Sequence, residues 1–261
     1  MATHFIERMA VESDGEGEAV LMIHGLGGTS NAWTPVLPAL TRYRTVRPDL
    51  PGSGRSHRVE GPLSIDRFVQ AMQRVCAALG LDRVHVAAHS LGTIVAFHLA
   101  VAVPRLVRSL ALFGPLLCPP EAARPALRAR GEKARSEGEA GMQAIADTIV
   151  QSSISTETRT RRLVAVAAVR ELLMRQCPDG YARTCQALAE ARAADVGGIA
   201  CPTLLVTGDE DAIAPVQAVR QLGERIRGAR VEVLPRCGHW TMVEKPAECD
   251  DLLRRFYAQR M

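Results

Sequence analysis

Long apolar segments are missing from this 261-residue sequence. No stretch approaches the ~20 consecutive apolar residues that a transmembrane helix requires. Near the N-terminus, Glu7 and Arg8 stand where a secretory signal peptide would have an apolar run. We therefore expect a cytoplasmic protein that has no membrane partner.

Cysteine pairs of the C-x-x-C type are also missing. The seven cysteines are odd in number and dispersed, at Cys76, Cys118, Cys177, Cys185, Cys201, Cys237 and Cys249. This usage is typical of reduced thiols in a cytosolic protein and argues against a zinc site. Since His57 and His98 also have no partner at metal-ligand spacing, the sequence predicts no bound metal.

Aromatic residues make up only 4% of the chain, and Lys133 and Lys245 are its only lysines. The net charge of +4 comes from arginines that are scattered along the chain. A nucleic-acid-binding surface would require a basic stripe with interleaved aromatic residues, so we expect no nucleic-acid partner. The apolar fraction of 47% and the charged fraction of 23% are typical of a folded globular chain.

Predicted strands and helices alternate along most of the chain, which indicates a parallel sheet with helices on both faces. The run at 19–23 is continuously apolar, as in a strand that is buried on both faces. Strands are predicted in a hairpin at 3–11 and at 19–23, 41–50, 84–88, 108–113, 203–207 and 230–234. Helices are predicted at 65–79, 91–101 and 216–226 and after Pro246.

The alternation stops at Gly114 and resumes near residue 203. The intervening sequence is rich in Ala, Arg and Glu and has helical periodicity, with pieces at 121–138, 142–150, 157–176 and 181–194 and a proline-containing break at 177–180. We therefore predict a helical insertion at 115–196. The core domain is then formed by residues 1–114 and 197–261.

Ser90 lies at the corner between the strand at 84–88 and the helix that follows it. A strained turn from strand to helix is how one large group of hydrolases exposes a nucleophilic serine. Because a serine hydroxyl is a weak nucleophile, it needs a histidine as base and a carboxylate to orient that histidine. Ser90 is therefore the candidate nucleophile.

Candidates for the acid and the base follow two later strands. His239 comes soon after the strand at 230–234, and both Asp209 and Asp211 come directly after the strand at 203–207. The order serine, aspartate, histidine is the one expected with such an elbow. Loops at the carboxyl edge of one parallel sheet can converge, so these side chains are predicted to meet.

A stretch of glycines in His24-Gly25-Leu26-Gly27-Gly28 follows the strand at 19–23. Backbone N–H groups of Leu26 and of Leu91, next to the nucleophile, form the natural pair of oxyanion donors. A rival interpretation is a dinucleotide-binding loop with Asp49 at the end of the next strand. That fingerprint lacks its last glycine, since Ser30 occupies the position.

Together these segments resemble the motifs of the α/β-hydrolase fold superfamily. They are His24-Gly25-Leu26-Gly27-Gly28, residues 49–56, Ala88-His89-Ser90-Leu91-Gly92, Gly208-Asp209-Glu210-Asp211 and Gly238-His239. The resemblance implies a mostly parallel eight-stranded sheet with helices on both faces, and a helical cap, or lid, at 115–196 inserted after strand 6. It also implies that the acid is Asp211, at the fourth position of Gly-x-x-Asp.

Two details refine this resemblance. Ala88 stands where the elbow usually has glycine, a small change that leaves the chemistry intact. The chain looks most similar to 3-oxoadipate enol-lactonases and neighbouring small carboxylesterases, through the runs at 178–182 and 201–208.

The serine nucleophile distinguishes this chain from haloalkane dehalogenases and epoxide hydrolases, which resemble it but use aspartate. We expect a serine hydrolase that acts on a small-molecule carboxylic ester or (enol-)lactone without a cofactor, as a monomer or homodimer. A C–C bond hydrolase or a cofactor-free perhydrolase would use the same triad. A non-catalytic small-molecule receptor would keep the same pocket.

Aromatic and basic residues provide candidates for the substrate pocket. Trp33 and Trp240 flank the catalytic loops, where they either line the pocket or pack in the core. The arginines of the insertion include candidates to pair with a substrate carboxylate, but the sequence singles out none of them. His24 and His89 are interpreted as structural hydrogen-bonding residues.

Overall fold

The computed structural model describes residues 2–258, and its strands form one eight-stranded sheet. The strands are β1 (Ala2–Ile6), β2 (Met9–Asp14), β3 (Ala19–Ile23), β4 (Arg44–Pro48), β5 (Val84–His89), β6 (Val107–Phe113), β7 (Thr203–Gly208) and β8 (Arg230–Leu234). Their order across the sheet is β1-β2-β4-β3-β5-β6-β7-β8. The pairs β1/β2 and β2/β4 are antiparallel and the others parallel, which confirms the predicted mostly parallel α/β sheet.

Nine α-helices lie between and after these strands in the described residues. They are α1 (Ile65–Ala78), α2 (Leu91–Ala102), α3 (Arg124–Ser153), α4 (Thr156–Arg161), α5 (Leu163–Met174), α6 (Pro178–Ala189), α7 (Val216–Glu224), α8 (Thr241–Glu244) and α9 (Pro246–Ala258). A 3₁₀ segment of 11 residues, Ser30–Leu40, follows β3. Among residues 2–258, none of the helices combines the length and the apolarity needed to cross a membrane.

Alternating side chains of β3 build a core on each face of the sheet. Leu21 and Ile23 face the side that is covered by α1, α2 and α7. Val20 and Met22 face the other side, where the Ser30–Leu40 segment and α9 pack. Since neighbouring residues of a strand point to opposite faces, a strand in the middle of two layers must be apolar throughout.

The chain between β6 and β7 contains α3, α4, α5 and α6 and is called here the helical insertion, residues 115–196. Several of its apolar residues belong to the same buried cluster as Trp33 of the Ser30–Leu40 segment: Met142, Ile145, Val169 and Leu173. Within α3, Gly138 has φ 62° and ψ −133°, so the helix is interrupted where two separate helical pieces were predicted. The insertion therefore shares a core with the sheet domain.

Helix boundaries in the insertion differ from the prediction in two places. Pro178 begins α6 instead of lying in a break, because proline is tolerated at the first position of a helix, where its missing N–H has no intrahelical role. The single helix predicted at 157–176 is two helices, with Arg162 at φ −127° between α4 and α5. Sequence periodicity does not distinguish one long helix from two short ones with a kink.

Candidate active site

Ser90 lies between β5 and α2 with φ 51° and ψ −120°, a backbone conformation that residues other than glycine rarely adopt. Its backbone is held there by a hydrogen bond from its N–H to Phe113 O (3.0 Å) and one from Thr93 Oγ1 to its carbonyl (2.7 Å). Such a conformation costs on the order of 1–3 kcal/mol and persists where the surroundings enforce it. The candidate nucleophile is therefore held in a strained conformation.

The backbone around Ser90 leaves no space for larger residues. A Cβ atom on Gly25 would lie 2.8 Å from Ser90 Cβ, and one on Gly92 would lie 2.3 Å from Ile23 O. Ala88, where the elbow motif usually has glycine, is accommodated as a fully buried residue of β5. The loop after β3 therefore lies directly against the serine.

His239 lies on the loop after β8 and joins two other predicted residues. Its Nε2 is 2.8 Å from Ser90 Oγ, and its Nδ1 is 2.8 Å from Asp211 Oδ2. His239 and Asp211 are buried, whereas Ser90 is partly exposed. The three loops after β5, β7 and β8 thus bring a hydroxyl, an imidazole and a carboxylate into one hydrogen-bonded row.

The carboxylate of Asp211 is surrounded by donors. Its Oδ1 accepts hydrogen bonds from the N–H groups of Ile213 and Ala214, both at 2.8 Å, and Thr207 Oγ1 lies 3.3 Å from Oδ2. Burial opposes ionisation of Asp211, but the imidazole of His239 and the backbone N–H groups of Ala214 and Ile213 outweigh it and lower its pKa to about 2. Asp211 is therefore ionised at neutral pH and can hold Nδ1–H of His239.

Asp209, the rival acid, serves another loop. It is exposed, and its Oδ1 accepts a hydrogen bond from the N–H of Cys237 at 3.1 Å. Glu210 is exposed as well and accepts one from the N–H of Thr156 at 2.8 Å. Of the three acids on this turn, Asp211 is the one whose carboxylate is hydrogen-bonded to His239.

The loop that carries His239 is fastened to the insertion. The backbone N–H of His239 donates to Ser153 O at 2.8 Å. The fully buried carboxylate of Glu244 accepts N–H groups from Ser155 (2.9 Å), Gly238 (3.1 Å) and Trp240 (3.1 Å). Glu244 was not among the residues predicted for the site; the available signal was an acid a few residues after Gly-His within an otherwise apolar stretch.

The predicted oxyanion donors belong to two segments that meet at Ser90, the loop after β3 and the start of α2. Leu91 is the first residue of α2, so its N–H has no acceptor within the helix. In the loop after β3, Gly25 O accepts hydrogen bonds from His24 Nδ1 (2.8 Å) and from the N–H of Gly28 (3.0 Å). Because a trans peptide directs C=O and N–H in opposite directions, the N–H of Leu26 points away from these two donors.

The two buried histidines near the site are neutral. His24 Nε2 accepts the N–H of Leu50 at 2.9 Å, so its proton is on Nδ1, and burial lowers its pKa. Burial, together with His239 nearby, lowers the pKa of His89 to about 3. His89 Nε2 donates to the carbonyl oxygen of His239 at 3.0 Å, so it supports the backbone of the candidate base.

Both tryptophans proposed for the pocket are packed in the core. Trp33 is fully buried and meets Phe113 edge-on, with ring centroids 5.9 Å apart. The ring centroids of Trp240 and His89 are 5.1 Å apart, and Trp240 donates its indole N–H to Ser153 Oγ at 3.2 Å. Their role as pocket residues stays a prediction.

Side chains from the insertion reach the loop after β3, residues 24–28, which is called here the glycine loop. A Cβ atom on Gly27 would lie 2.3 Å from Leu173 Cδ2 and 3.4 Å from Tyr181 Cε2. Neither residue was predicted for the site, because the face of an insertion helix that meets the core depends on how the insertion docks. Within the described chain, no three His, Cys, Asp or Glu side chains are grouped as a metal site would require.

The chain is similar to known proteins over most of its length. The sequence profile of the alpha/beta hydrolase family matches residues 20–252. A 2-hydroxymuconate semialdehyde hydrolase from Pseudomonas sp. strain CF600 is 29% identical over 264 residues, covering 97% of this chain and 91% of that protein.

Solved structures are similar over nearly the whole chain. An esterase from Thermogutta terrifontis, solved with malate bound, has a TM-score of 0.91 and 25% identity, covering 96% of this chain and 93% of that one. The enol-lactonase from Burkholderia xenovorans LB400 has a TM-score of 0.89 and 25% identity, covering 98% of this chain and 100% of that one. Both therefore share the overall fold of this chain.

Proposed function

The chain belongs to the alpha/beta hydrolase family, and on that basis we propose that it is a serine hydrolase that cleaves a carboxylic ester or (enol-)lactone through an acyl-enzyme on Ser90. The observation that carries the proposal is the row from Ser90 through His239 to Asp211, with both hydrogen bonds at 2.8 Å. The esterase and the enol-lactonase with similar structures support the same class of substrate.

Acylation begins when His239 Nε2 takes the proton of Ser90 Oγ as the oxygen attacks the carbonyl carbon. The imidazolium that forms is stabilised by ionised Asp211 at Nδ1. The N–H groups of Leu26 and Leu91 receive the negative charge that develops on the carbonyl oxygen, a type of contribution worth several kcal/mol in the transition state. His239 then protonates the leaving oxygen.

Deacylation repeats these roles with water. His239 removes a proton from a water molecule, the hydroxide attacks the acyl-enzyme, and Ser90 recovers its proton as the acid leaves. No step in this sequence uses a metal or an organic cofactor.

We also propose that residues 115–196 act as a cap over the site, on a core made of residues 1–114 and 197–261. The contacts of Leu173 and Tyr181 with Gly27 support this role, as does the bond from the N–H of His239 to Ser153 O. The substrate pocket would then lie between the insertion and the loops that carry the triad.

A second candidate is hydrolysis of a C–C bond in a ring-cleavage product. It is favoured by the relative from strain CF600 and by the 2-hydroxy-6-oxo-2,4-heptadienoate hydrolase of Pseudomonas putida F1, which is 28% identical over 240 residues. The same serine, histidine and aspartate would carry it. The two candidates differ in the bond that is broken.

A fluorophosphonate probe and a substrate panel test these proposals. The probe should label the wild-type protein and not Ser90→Ala, and folded wild-type protein that resists labelling would overturn the serine-hydrolase proposal in favour of a receptor. The panel compares p-nitrophenyl esters, lactones, enol-lactones and ring-cleavage dienoates under one assay. A preference for the dienoates over every ester and lactone would replace the first candidate by the second.

A further inference from the structure

Gln176 lies in the short connection between α5 and α6 and is almost fully buried. Its Oε1 accepts the N–H of Gly54 at 3.1 Å. Its Nε2 lies 2.8 Å from Leu172 O, 3.2 Å from Gly27 O and 3.3 Å from Gly28 O. One side-chain amide of the insertion therefore bonds to two loops of the sheet domain, among them the loop of Leu26.

The surroundings of Gln176 hold it firmly. A Cβ atom on Gly180, in the first turn of α6, would lie 2.1 Å from Gly52 O, so two backbones are in direct contact there. On the other side, Leu173 presses on Gly27. These contacts fix the α5–α6 connection on the loops below it, and the amide has little freedom to turn away.

The bond to Gly27 O has a geometric consequence for the oxyanion donor. Gly27 C=O and the N–H of Gly28 belong to one planar trans peptide, so a donor that holds the oxygen outward directs this N–H inward. That N–H donates to Gly25 O at 3.0 Å. Gly25 C=O in turn shares a planar peptide with the N–H of Leu26.

We propose that Gln176 is a positioning residue for the oxyanion site: through the Gly27–Gly28 peptide and the Gly25–Leu26 peptide, it sets the direction of the Leu26 N–H. This inference rests on the proposed acyl-transfer function. Loss of the Nε2 donor frees the Gly27–Gly28 peptide to rotate and weakens the hydrogen bond that Leu26 gives in the transition state. Substrate binding, which precedes charge development, changes little.

Gln176→Leu tests the proposal, because leucine keeps the volume and removes the donors. Gln186→Leu is the matched control, since Gln186 is an exposed glutamine of the same insertion. Removing an oxyanion donor lowers kcat by roughly 10²–10³, and disordering one costs part of this, so we expect kcat for an ester to fall about tenfold or more with KM within about twofold.

The diagnostic measurement compares an ester with its thionoester. Sulfur is a weaker hydrogen-bond acceptor than oxygen, so the hydrogen bond from the Leu26 N–H stabilises the transition state of the thionoester less than that of the ester. In Gln176→Leu, the ratio of kcat/KM for the ester to that for the thionoester should fall several-fold from the wild-type value, while Gln186→Leu keeps the wild-type ratio. Because both substrates report on the same active molecules, this ratio does not depend on the folded fraction.

Three outcomes are distinguished. An unchanged ratio in Gln176→Leu or, where that variant is poorly produced, in Gln176→Met overturns the positioning role. A ratio that falls equally in the Gln186 control overturns it as well. Wild-type protein that turns over neither substrate overturns the proposed ester hydrolysis, and this inference with it.

Discussion

The carboxylate of Glu244 accepts the backbone N–H of Ser155 at 2.9 Å, and the two residues are 89 positions apart in the chain. The same carboxylate also holds the N–H groups on both sides of His239. A buried acid thus joins the insertion to the loop of the candidate base.

Replacing Glu244 should therefore affect both stability and activity. Glu244→Ala leaves three buried N–H groups without their acceptor, and we expect the free energy of unfolding to fall by about 3 kcal/mol or more and kcat to fall with it. Glu244→Gln keeps one acceptor oxygen and should lose less. Urea unfolding and ester turnover measure the two effects, with the exposed helical acid Glu139 replaced by alanine as the control. Equal stability of the two alanine variants would contradict the prediction.

Asp211 and Asp209 form a matched pair for testing the identity of the acid. Asp211→Asn should lower kcat by a factor of about 10⁴, because an asparagine cannot stabilise the imidazolium of His239. Asp209→Asn should retain activity within about tenfold, since Asp209 holds the backbone of Cys237 instead. Steady-state kinetics on one ester decides the matter. If Asp209→Asn proves the more damaging change, the triad has been assigned to the wrong residue.

Ionised Asp211 also predicts how stability depends on pH. Its pKa of about 2 in the folded protein is below the ordinary value of 3.8, so its ionisation stabilises the fold above that ordinary value, by about 2 kcal/mol. This contribution is lost as the pH falls towards 2, and roughly half of it is gone at pH 3. Urea unfolding between pH 7 and pH 3 should show the stability difference between wild type and Asp211→Asn shrinking by about 1 kcal/mol. A difference that stays constant with pH would refute the prediction.

Gly114 provides a test of the space around His239. Its φ is 55°, and a Cβ atom there would lie 2.8 Å from His239 Cε1. Gly114→Ala should lower kcat about tenfold or more by displacing the imidazole, and its positive φ should cost about 1 kcal/mol of stability. Gly80→Ala is the control, because Gly80 has φ 66° and nothing within 4 Å of the added carbon. The control should lose similar stability and keep its kcat; equal losses of kcat would point to backbone strain alone.

Local patterns predicted the parts of the fold that are governed by neighbouring residues. The strand at 19–23 was predicted with its observed ends, because a strand covered on both faces is continuously apolar. The catalytic candidates could also be predicted, since each of them lies on a turn or loop that follows a predicted strand. The 178–180 stretch was misassigned because a proline that breaks a helix and one that begins a helix look alike in sequence.

Contacts between the insertion and the core were beyond reach of the sequence. Gln176 and Gly27 are 149 positions apart, and nothing in either segment indicates the other. Their meeting depends on how four helices dock on the sheet, which side-chain periodicity does not determine. For the same reason the sequence could not separate packing from pocket lining for Trp33.

The attachment of the insertion at Ser153, Ser155 and Gln176 bears on how enzymes of this architecture can be recombined. A chimera that receives residues 115–196 from another protein also receives new partners for His239 and for the glycine loop. Its catalytic rate would change for reasons unrelated to the substrate it admits. In this chain, we expect exchange of the insertion to preserve the chemistry only when those three attachment points are transferred together with the loops that they hold.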